Sequence, residues 1–340
     1  MGARAHGHAE RCEMNADADE SLIVYFGGKY VPMHEARIGI LTHALHYGTG
    51  VFEGIRAYWS IEERELFVLR GMEHYRRWKQ NCGILHIDVP PAEELCAITA
   101  ELARRNGLRT DLYIRPLAYK CAERIGVAID DRSAFFIIAM PYGEYLHSEK
   151  GLHAGVSAWR RIDDNAIPPR AKICGAYVNS ALASDDARRA GFDEAILLNQ
   201  SGHVTEGATC NLFMLRKGRL VTPQATENVL EGITRDSVME LAQHEFGLEV
   251  VERPIDRSEL YICDELFLTG TAVGVAPVVR VDHRTVGDGR IGAVTRSLRQ
   301  LYFDAARGHL PAYRKWLLPV YGRWGLEAHD VAEAKEKSFA

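Results

Sequence analysis

Lys172 and Glu206 are the two side chains of this sequence whose types and settings suggest covalent chemistry. Lys172 stands among small and apolar neighbours, and Glu206 lies in the separate segment Thr205-Glu206-Gly207. Apolar surroundings disfavour the ammonium form of a lysine, and a neutral amine can form a Schiff base with an aldehyde. A carboxylate can keep a pyridine nitrogen protonated, so that the ring accepts electrons. The pair therefore predicts aldimine chemistry on a pyridine cofactor.

A pyridoxal cofactor also carries a phosphate, and the segment Gly232-Ile233-Thr234 could bind it. The glycine allows close approach of the backbone, free amides at a helix start attract an anion, and Thr234 adds a hydroxyl. Taken alone, the segment is more typical of an ordinary helix N-cap. A guanidinium could complete the site through bidentate contacts, and Arg76 and Arg77 are both candidates. The residues by themselves leave that choice open.

Other motifs argue against alternative chemistries. Residues 48–54 approach a dinucleotide-binding glycine pattern, but they are one residue too long and no buried strand precedes them. A phosphate loop of the Gly-x-x-x-x-Gly-Lys-Ser/Thr type does not occur in the sequence. His43 and His46 have helical spacing, yet no nearby carboxylate or cysteine completes a set of metal ligands. We therefore expect no nicotinamide cofactor, no nucleotide hydrolysis and no metal.

The composition is that of a globular protein. With 340 residues, 47% of them hydrophobic and 26% charged, the chain is long enough for two domains. A net charge of −5 without a basic arm predicts no nucleic-acid partner. The longest apolar stretch, residues 134–140, is too short for a bilayer, and we expect no membrane association. Seven dispersed cysteines, none in a Cys-x-x-Cys pair, suggest reduced thiols, so the expected location is cytoplasmic.

Hydrophobic periodicity and turn residues predict the elements that position these groups. We expect a mobile tail at 1–20, a small N-terminal α/β domain at 21–140, an interdomain loop at 141–152 and a large C-terminal domain at 153–340, which carries Lys172. Strands are expected at 22–26, 29–31, 65–69, 113–119, 134–140, 154–159, 194–198, 204–215 and 265–279. Helices are expected at 72–82, 92–106 and 178–190, with a further helix opening at 232–236.

The ordered set of motifs resembles the class IV, fold type IV aminotransferases, most closely the bacterial branched-chain amino acid aminotransferases. The resemblance is carried by the blocks 43–56 (HALHYGTGVFEGIR), 113–117 (YIRPL), 172–177 (KICGAY), 205–213 (TEGATCNLF), 232–236 (GITRD) and 269–272 (TGTA). It implies an α+β, two-domain fold of the D-amino-acid and branched-chain aminotransferase type, with pyridoxal 5′-phosphate as the cofactor.

The resemblance implies a role for each cofactor-binding residue. Lys172 would form the internal aldimine and, once displaced by substrate, move a proton between the substrate α carbon and the cofactor. Glu206 would face the pyridine nitrogen and Tyr177 the ring hydroxyl. The phosphate would be bound by Arg77, Ile233, Thr234 and Thr271.

A substrate site is implied as well. Tyr113 and the amides of Thr271 and Ala272 would bind the α-carboxylate, and Arg115 would meet the side-chain carboxylate of glutamate. The apolar pocket would be lined by Phe52, Tyr145, Tyr177 and, from a neighbouring subunit, Tyr47 and Val127. A pocket shared in this way requires at least a homodimer.

The predicted function is transamination of leucine, isoleucine or valine with 2-oxoglutarate in two half-reactions. D-amino-acid aminotransferases, R-selective amine transaminases and aminodeoxychorismate lyases are alternatives on the same fold. The combination of Tyr47, Phe52, Gly54, Tyr113 and Arg115 favours the branched-chain type. From another class, a catalytically silent binding or assembly protein would be expected to lack the lysine or the glutamate, and this chain has both.

Overall fold

The computed structural model describes residues 22–143 and 150–322, which divide into two compact units. Of these residues, the first unit contains 22–143, 171–176 and 303–322, and the second contains 150–170 and 177–302. The predicted tail and the central part of the predicted interdomain loop lie outside the described residues. Residues 171–176 pack with the N-terminal part of the chain. The domain boundaries expected from the sequence stay a prediction.

Seventeen strands are found in the described residues. They are β1 (Ile23–Phe26), β2 (Lys29–Pro32), β3 (Gly50–Phe52), β4 (Ile55–Ser60), β5 (Glu65–Leu69), β6 (Leu112–Lys120), β7 (Ser133–Pro141), β8 (Leu152–Arg160), β9 (Glu194–Leu198), β10 (Val204–Gly207), β11 (Asn211–Arg216), β12 (Arg219–Thr222), β13 (Val250–Glu252), β14 (Glu265–Gly270), β15 (Gly274–Val281), β16 (Arg284–Thr285) and β17 (Leu317–Pro319).

The described residues also form six α-helices and several shorter 3-10 helices. The α-helices are α1 (His43–Tyr47), α2 (Gly71–Ile84), α3 (Ala92–Arg105), α4 (Tyr177–Arg189), α5 (Ile233–Phe246) and α6 (Ala293–Ala306). The 3-10 helices include Met33–Glu35, Cys174–Ala176, Ala225–Glu227, Arg257–Tyr261 and Pro311–Trp316. Within residues 22–143 and 150–322, no helix has the length and apolar character needed to cross a membrane.

The first unit is built on an antiparallel sheet in the order β17-β5-β4-β6-β7-β1-β2, with β3 paired to β6. The predicted hairpin at its edge is confirmed: Gly27 and Gly28 both have positive φ, which a two-residue turn between twisted strands requires. Helix α2 packs on α3 and buries Tyr75 and Trp78 completely. Trp78 Nε1 donates to Val51 O of β3, and the Tyr75 hydroxyl bonds to Thr99 of α3, so that the two rings fix the rotation of α2.

The second unit contains a mixed nine-stranded sheet in the order β10-β9-β8-β15-β14-β11-β12-β13, with β16 paired to β15. Strands β8 and β9 run parallel, and α4 connects them in sequence. The strand predicted over 204–215 is divided, because Gly207 N donates to Cys210 O and turns the chain between β10 and β11. This turn brings Glu206 opposite Asn211 in the register of the two strands.

Candidate active site

Lys172 is held by backbone pairing with β3 in the first unit. Phe52 N donates to Lys172 O at 3.0 Å, and Val51 and Ile173 form an antiparallel bridge. The lysine is half-buried, and its Nζ lies 5.3 Å from the centre of the Phe52 ring. Residues that are far apart in sequence therefore bring the amine against an aromatic face, in the partly apolar setting that Schiff-base chemistry needs.

Four residues predicted to bind substrate lie together in the same unit. Tyr113 and Arg115 are two positions apart on β6 and share one face of the sheet. Arg115 Nη2 donates to the Tyr113 hydroxyl at 2.8 Å, and the guanidinium carbon lies 4.4 Å from the centre of the Phe52 ring. At Gly54, a Cβ atom would overlap the Tyr113 hydroxyl, so the ring needs a glycine there. A guanidinium that lies against aromatic rings can bind a substrate carboxylate, while the rings contact an apolar substrate side chain.

Arg77 is bound bidentately by the buried carboxylate of Glu53. Its Nε donates to Glu53 Oε1 at 2.7 Å and its Nη2 to Oε2 at 2.8 Å, while His74 Nδ1 lies 3.0 Å from Oε2. Burial raises the pKa of Glu53, but the Arg77 guanidinium and the His74 hydrogen bond outweigh it and hold that pKa well below its usual range. The Arg77 side chain is 11% exposed, whereas that of Arg76 is 63% exposed. Burial thus distinguishes the two candidates that the residues alone could not.

Tyr47 and Val127 lie close together at the surface of the first unit. The Tyr47 hydroxyl accepts a hydrogen bond from Gly126 N at 2.8 Å, which ties the 123–130 loop to α1. Val127 is 78% exposed in the single chain. Tyr145, the remaining wall residue of the predicted pocket, lies outside the described residues.

Glu206 is the centre of a buried cluster in the second unit. Arg161 Nη2 lies 2.8 Å from Glu206 Oε1, and Oε2 accepts from Asn211 Nδ2 at 3.0 Å and from Leu230 N at 3.1 Å. The glutamate is 4% exposed and Arg161 is also buried. One charged and two amide donors stabilise the ionised carboxylate, which is the form that a protonated pyridine nitrogen would pair with.

The other cofactor residues predicted in the second unit lie at the ends of its elements. Ile233 and Thr234 form the first turn of α5, after the extended residue Gly232. Thr271 and Ala272 follow β14, the strand paired with β11. Tyr177 is the first residue of α4 and is half-buried.

The start of α5 is packed directly against the Glu206 cluster. A Cβ atom on Gly232 would overlap Asn211 Oδ1, so the helix start and the amide that holds Glu206 depend on each other. Asp236 N donates to Gly232 O, and the first backbone amides of the helix point outward from its N-terminus. Thr234 is buried, which limits the directions its hydroxyl can take.

The sequence interpretation missed four residues that hold the predicted ones. Glu53, His74 and Asn211 lie in or beside segments that the motif comparison used, but no role was assigned to them. Arg161 follows another arginine at the end of a strand, and nothing in its neighbourhood marks it as the partner of Glu206. All four are buried polar side chains, which need hydrogen-bond partners, but their spacing in the sequence does not show that they are buried.

The groups present fit pyridoxal phosphate as a donor set. The first unit supplies the amine of Lys172 and the guanidinium of Arg77, and the second supplies the carboxylate of Glu206 beside Arg161 and the N-terminus of α5 with Thr234. Convergence of these groups on a single ring stays a prediction. In the described parts of the chain, no three His, Cys, Asp or Glu side chains are grouped closely enough to hold a metal ion.

Comparisons with known proteins point in one direction. The family model described as amino-transferase class IV matches residues 50–281. The chain is 50% identical over 301 residues to a probable branched-chain-amino-acid aminotransferase of Aquifex aeolicus, covering 88% of this chain and 97% of that protein.

Solved structures give the same result. A branched-chain aminotransferase of Thermoproteus uzoniensis with norvaline aligns with a TM-score of 0.85 and 40% identity, over 88% of this chain and all (100%) of that one. The pyridoxal-phosphate form of the Thermobaculum terrenum branched-chain amino acid aminotransferase aligns with a TM-score of 0.85 and 38% identity, over 89% and 99% of the two chains.

Proposed function

The chain belongs to the class IV aminotransferases, and from this premise we propose that it transfers the amino group of leucine, isoleucine or valine to 2-oxoglutarate and catalyses the reverse reaction. The predicted fold type IV class is confirmed by the structural relatives, and pyridoxal 5′-phosphate is the cofactor. When bound, the cofactor stores the amino group between two half-reactions and draws electrons from the substrate. The observation that carries the substrate proposal is the group formed by Phe52, Tyr113 and Arg115 beside Lys172.

We assign the proton-handling roles to two residues. Lys172 Nζ would take up the proton from the substrate α carbon and deliver it to the cofactor, since an amine beside an aromatic face can act as a base once substrate has displaced it. Glu206, fixed by Arg161, keeps a proton on the pyridine nitrogen. The remaining cofactor contacts are proposed for Tyr177 at the ring hydroxyl, and for Arg77, Ile233, Thr234 and Thr271 at the phosphate.

The substrate site must accept both an apolar side chain and the second carboxylate of glutamate. Tyr113 and the amides of Thr271 and Ala272 are proposed to bind the α-carboxylate common to all substrates. Arg115 is proposed to meet the side-chain carboxylate of glutamate, and its position over the Phe52 ring leaves an apolar surface beside it. Phe52, Tyr145 and Tyr177 would contact a leucine-like side chain. A single cation at an otherwise apolar wall explains the dual specificity.

We also propose that the protein works as a homodimer or larger assembly whose active sites receive Tyr47 and Val127 from a neighbouring subunit. Support comes from a surface patch formed by Ile40, Leu45, Ile125 and Val127, four exposed apolar side chains. The hydrogen bond between Gly126 N and the Tyr47 hydroxyl holds the two halves of this patch together. Apolar area of this kind is normally covered by a partner.

A cytoplasmic location completes the proposal. The six cysteines among the described residues form no disulfides, and thiols that stay reduced suit a reducing compartment.

The replacement Lys172→Ala tests the central assignment. The variant should lose the visible absorbance of lysine-bound cofactor and show no turnover of L-leucine with 2-oxoglutarate, since no other side chain is proposed to supply the amine. Lys29→Ala, an exposed hairpin lysine, is the matched control and should retain both signals. A Lys172→Ala protein with normal absorbance and turnover would refute the assignment.

A substrate panel separates the alternatives on the same fold. The wild-type protein should turn over L-leucine, whereas D-alanine and 1-phenylethylamine should be poor donors. Turnover of only the latter two would replace the branched-chain assignment by one of the alternative transaminases.

A further inference from the structure

Glu53 is a fully buried carboxylate to which the proposed function assigns no task. We propose that Glu53, itself held by His74, is a positioning residue that orients the Arg77 guanidinium for the cofactor phosphate. This inference rests on the proposed function and extends it to a side chain that is not itself proposed to touch cofactor or substrate.

The geometry fixes the plane of the guanidinium. Two nearly equal hydrogen bonds, 2.7 Å from Arg77 Nε to Glu53 Oε1 and 2.8 Å from Nη2 to Oε2, join the two planar groups. A bidentate pair of this kind restricts rotation about the last side-chain torsions of the arginine. Arg77 therefore has its direction set before any ligand arrives.

His74 and the backbone fix the carboxylate in turn. An ionised carboxylate can only accept, so His74 Nδ1, 3.0 Å from Glu53 Oε2, must be the donor. Burial lowers the pKa of His74, which keeps the ring neutral near pH 7, with its proton on Nδ1. Gly54 N also donates to Oε2, at 3.3 Å, and Glu53 N donates to Pro116 O at 3.0 Å.

The position of Glu53 in the chain links three functions. Phe52, the preceding residue, holds the Lys172 carbonyl, and Gly54, the following residue, makes room for the Tyr113 hydroxyl. A three-residue segment thus aligns the amine, the substrate tyrosine and, through Glu53, the guanidinium. Rigid support of this kind is what a precise binding site requires.

Orientation and simple charge attraction make opposite predictions for the phosphate. Glu53 places a negative charge beside the guanidinium, so a purely electrostatic site would bind phosphate more tightly without it. A site that depends on orientation would bind phosphate more weakly once the arginine can rotate. The sign of the change on removing the Glu53 charge therefore decides between them.

The experiment compares pyridoxal 5′-phosphate with pyridoxal, which lacks the phosphate. Equilibrium affinities of both for the cofactor-free protein are measured by the absorbance that develops at Lys172. The quantity compared is the ratio of the affinity for pyridoxal 5′-phosphate to the affinity for pyridoxal. In Glu53→Gln this ratio should fall about tenfold or more, because a charge-assisted contact is lost. Glu101→Gln is the control, because Glu101 likewise accepts hydrogen bonds from arginine side chains, Arg104 and Arg105, but lies on α3 outside this cluster, and its ratio should stay at the wild-type value. An unchanged or increased ratio in Glu53→Gln would overturn the inference.

A second pair of variants keeps the test decisive if Glu53→Gln does not fold. His74→Asn retains a side-chain N–H donor near the position of Nδ1, and His74→Leu removes it. The ratio should be closer to the wild-type value in His74→Asn than in His74→Leu; equal wild-type ratios in both would count against the inference. A wild-type protein that binds neither compound at Lys172 would instead overturn the proposed function, and the inference with it.

Discussion

At the scale of single residues, burial separates side chains that have the same chemistry. Arg76 and Arg77 are adjacent and equally suited to a phosphate, yet only Arg77 faces the interior, because consecutive helical residues point about 100° apart. The sequence carries both arginines without stating which direction α2 faces. That direction is set by Tyr75 and Trp78, which the unit buries completely.

Gly54→Ala tests the predicted substrate tyrosine. The new methyl group would overlap the Tyr113 hydroxyl and push the ring from its position beside Arg115. We expect KM for L-leucine to rise about tenfold, as for loss of one hydrogen bond to a charged ligand, while cofactor absorbance stays normal. Steady-state kinetics measure the change. Gly83→Ala, in α2 with open space around its Cβ, is the control; an unchanged KM in Gly54→Ala would argue against Tyr113 as a substrate contact.

At the scale of elements, the position of Glu206, the proposed partner of the pyridine nitrogen, depends on where two strands and a helix meet. Asn211 is the first residue of β11, and its side-chain amide donates to Glu206 on β10. The same amide leaves no space for a Cβ atom at position 232, directly before α5. The sequence predicts the start of the helix and one strand over 204–215, whereas the turn that divides this strand into β10 and β11 and the contact with α5 follow from the tertiary structure. The start of α5 therefore helps to position the side chain that holds the Glu206 carboxylate.

Gly232→Ala tests this junction. The added methyl group should displace the Asn211 amide and break its bonds to Glu206 Oε2 and to Leu230 O, which lie at 3.0 and 2.8 Å. We expect the free energy of unfolding to fall by about 1–3 kcal/mol and the affinity for pyridoxal phosphate to fall with it. Urea unfolding gives the first quantity and absorbance titration the second.

A double-mutant cycle with Asn211→Ala shows whether both changes act through one contact. The free energy of unfolding should fall less in the double variant than the sum of the decreases in the two single variants. Strict additivity would mean that Gly232 and Asn211 act independently.

At the scale of the whole molecule, buried titrating groups connect stability to pH. The folded state lowers the pKa of Glu53, where burial acts against the stronger effects of Arg77 and His74, and it lowers the pKa of His74 chiefly through burial. In both cases the unfolded chain takes up the proton at a higher pH than the folded chain. Acid therefore favours unfolding.

Stability should be fully present above the ordinary histidine pKa of 6.5 and should decline below it as His74 is protonated in the unfolded chain. A second decline should begin near 4.5, the ordinary pKa of a glutamate, and continue as pH falls toward the depressed pKa of Glu53. Each group adds a slope of up to about 1.4 kcal/mol per pH unit. Urea unfolding between pH 3 and 8 gives the profile, and below the ordinary glutamate pKa it should be flatter in Glu53→Gln. An identical profile in that variant would exclude Glu53 as a source.

Assembly is the second property of the whole molecule that can be tested. Leu45→Lys places a charge in the exposed apolar patch and should weaken self-association about a hundredfold or more, since each subunit loses one buried leucine. Light scattering measures the mass of the assembly. Turnover should fall as the mass falls, because Tyr47 and Val127 would no longer reach the active site of the neighbouring subunit. Ile262→Lys, an equally exposed residue of the second unit, is the control. A Leu45→Lys protein with wild-type mass would contradict the proposed interface.

The sequence by itself determined the family, the cofactor and most elements, because these depend on residue types in local segments and on the order of those segments. The β1–β2 hairpin and the start of α5 are examples, whereas the roles of Lys172 and Glu206 stay predictions. The tertiary structure alone decided that Arg161 holds Glu206, that Glu53 and His74 hold Arg77, and that Gly54 faces Tyr113. Such contacts join residues that are far apart in the chain or on different strands. They form only when sheet register and helix packing bring buried polar groups together, because a buried polar group without a hydrogen-bond partner costs free energy.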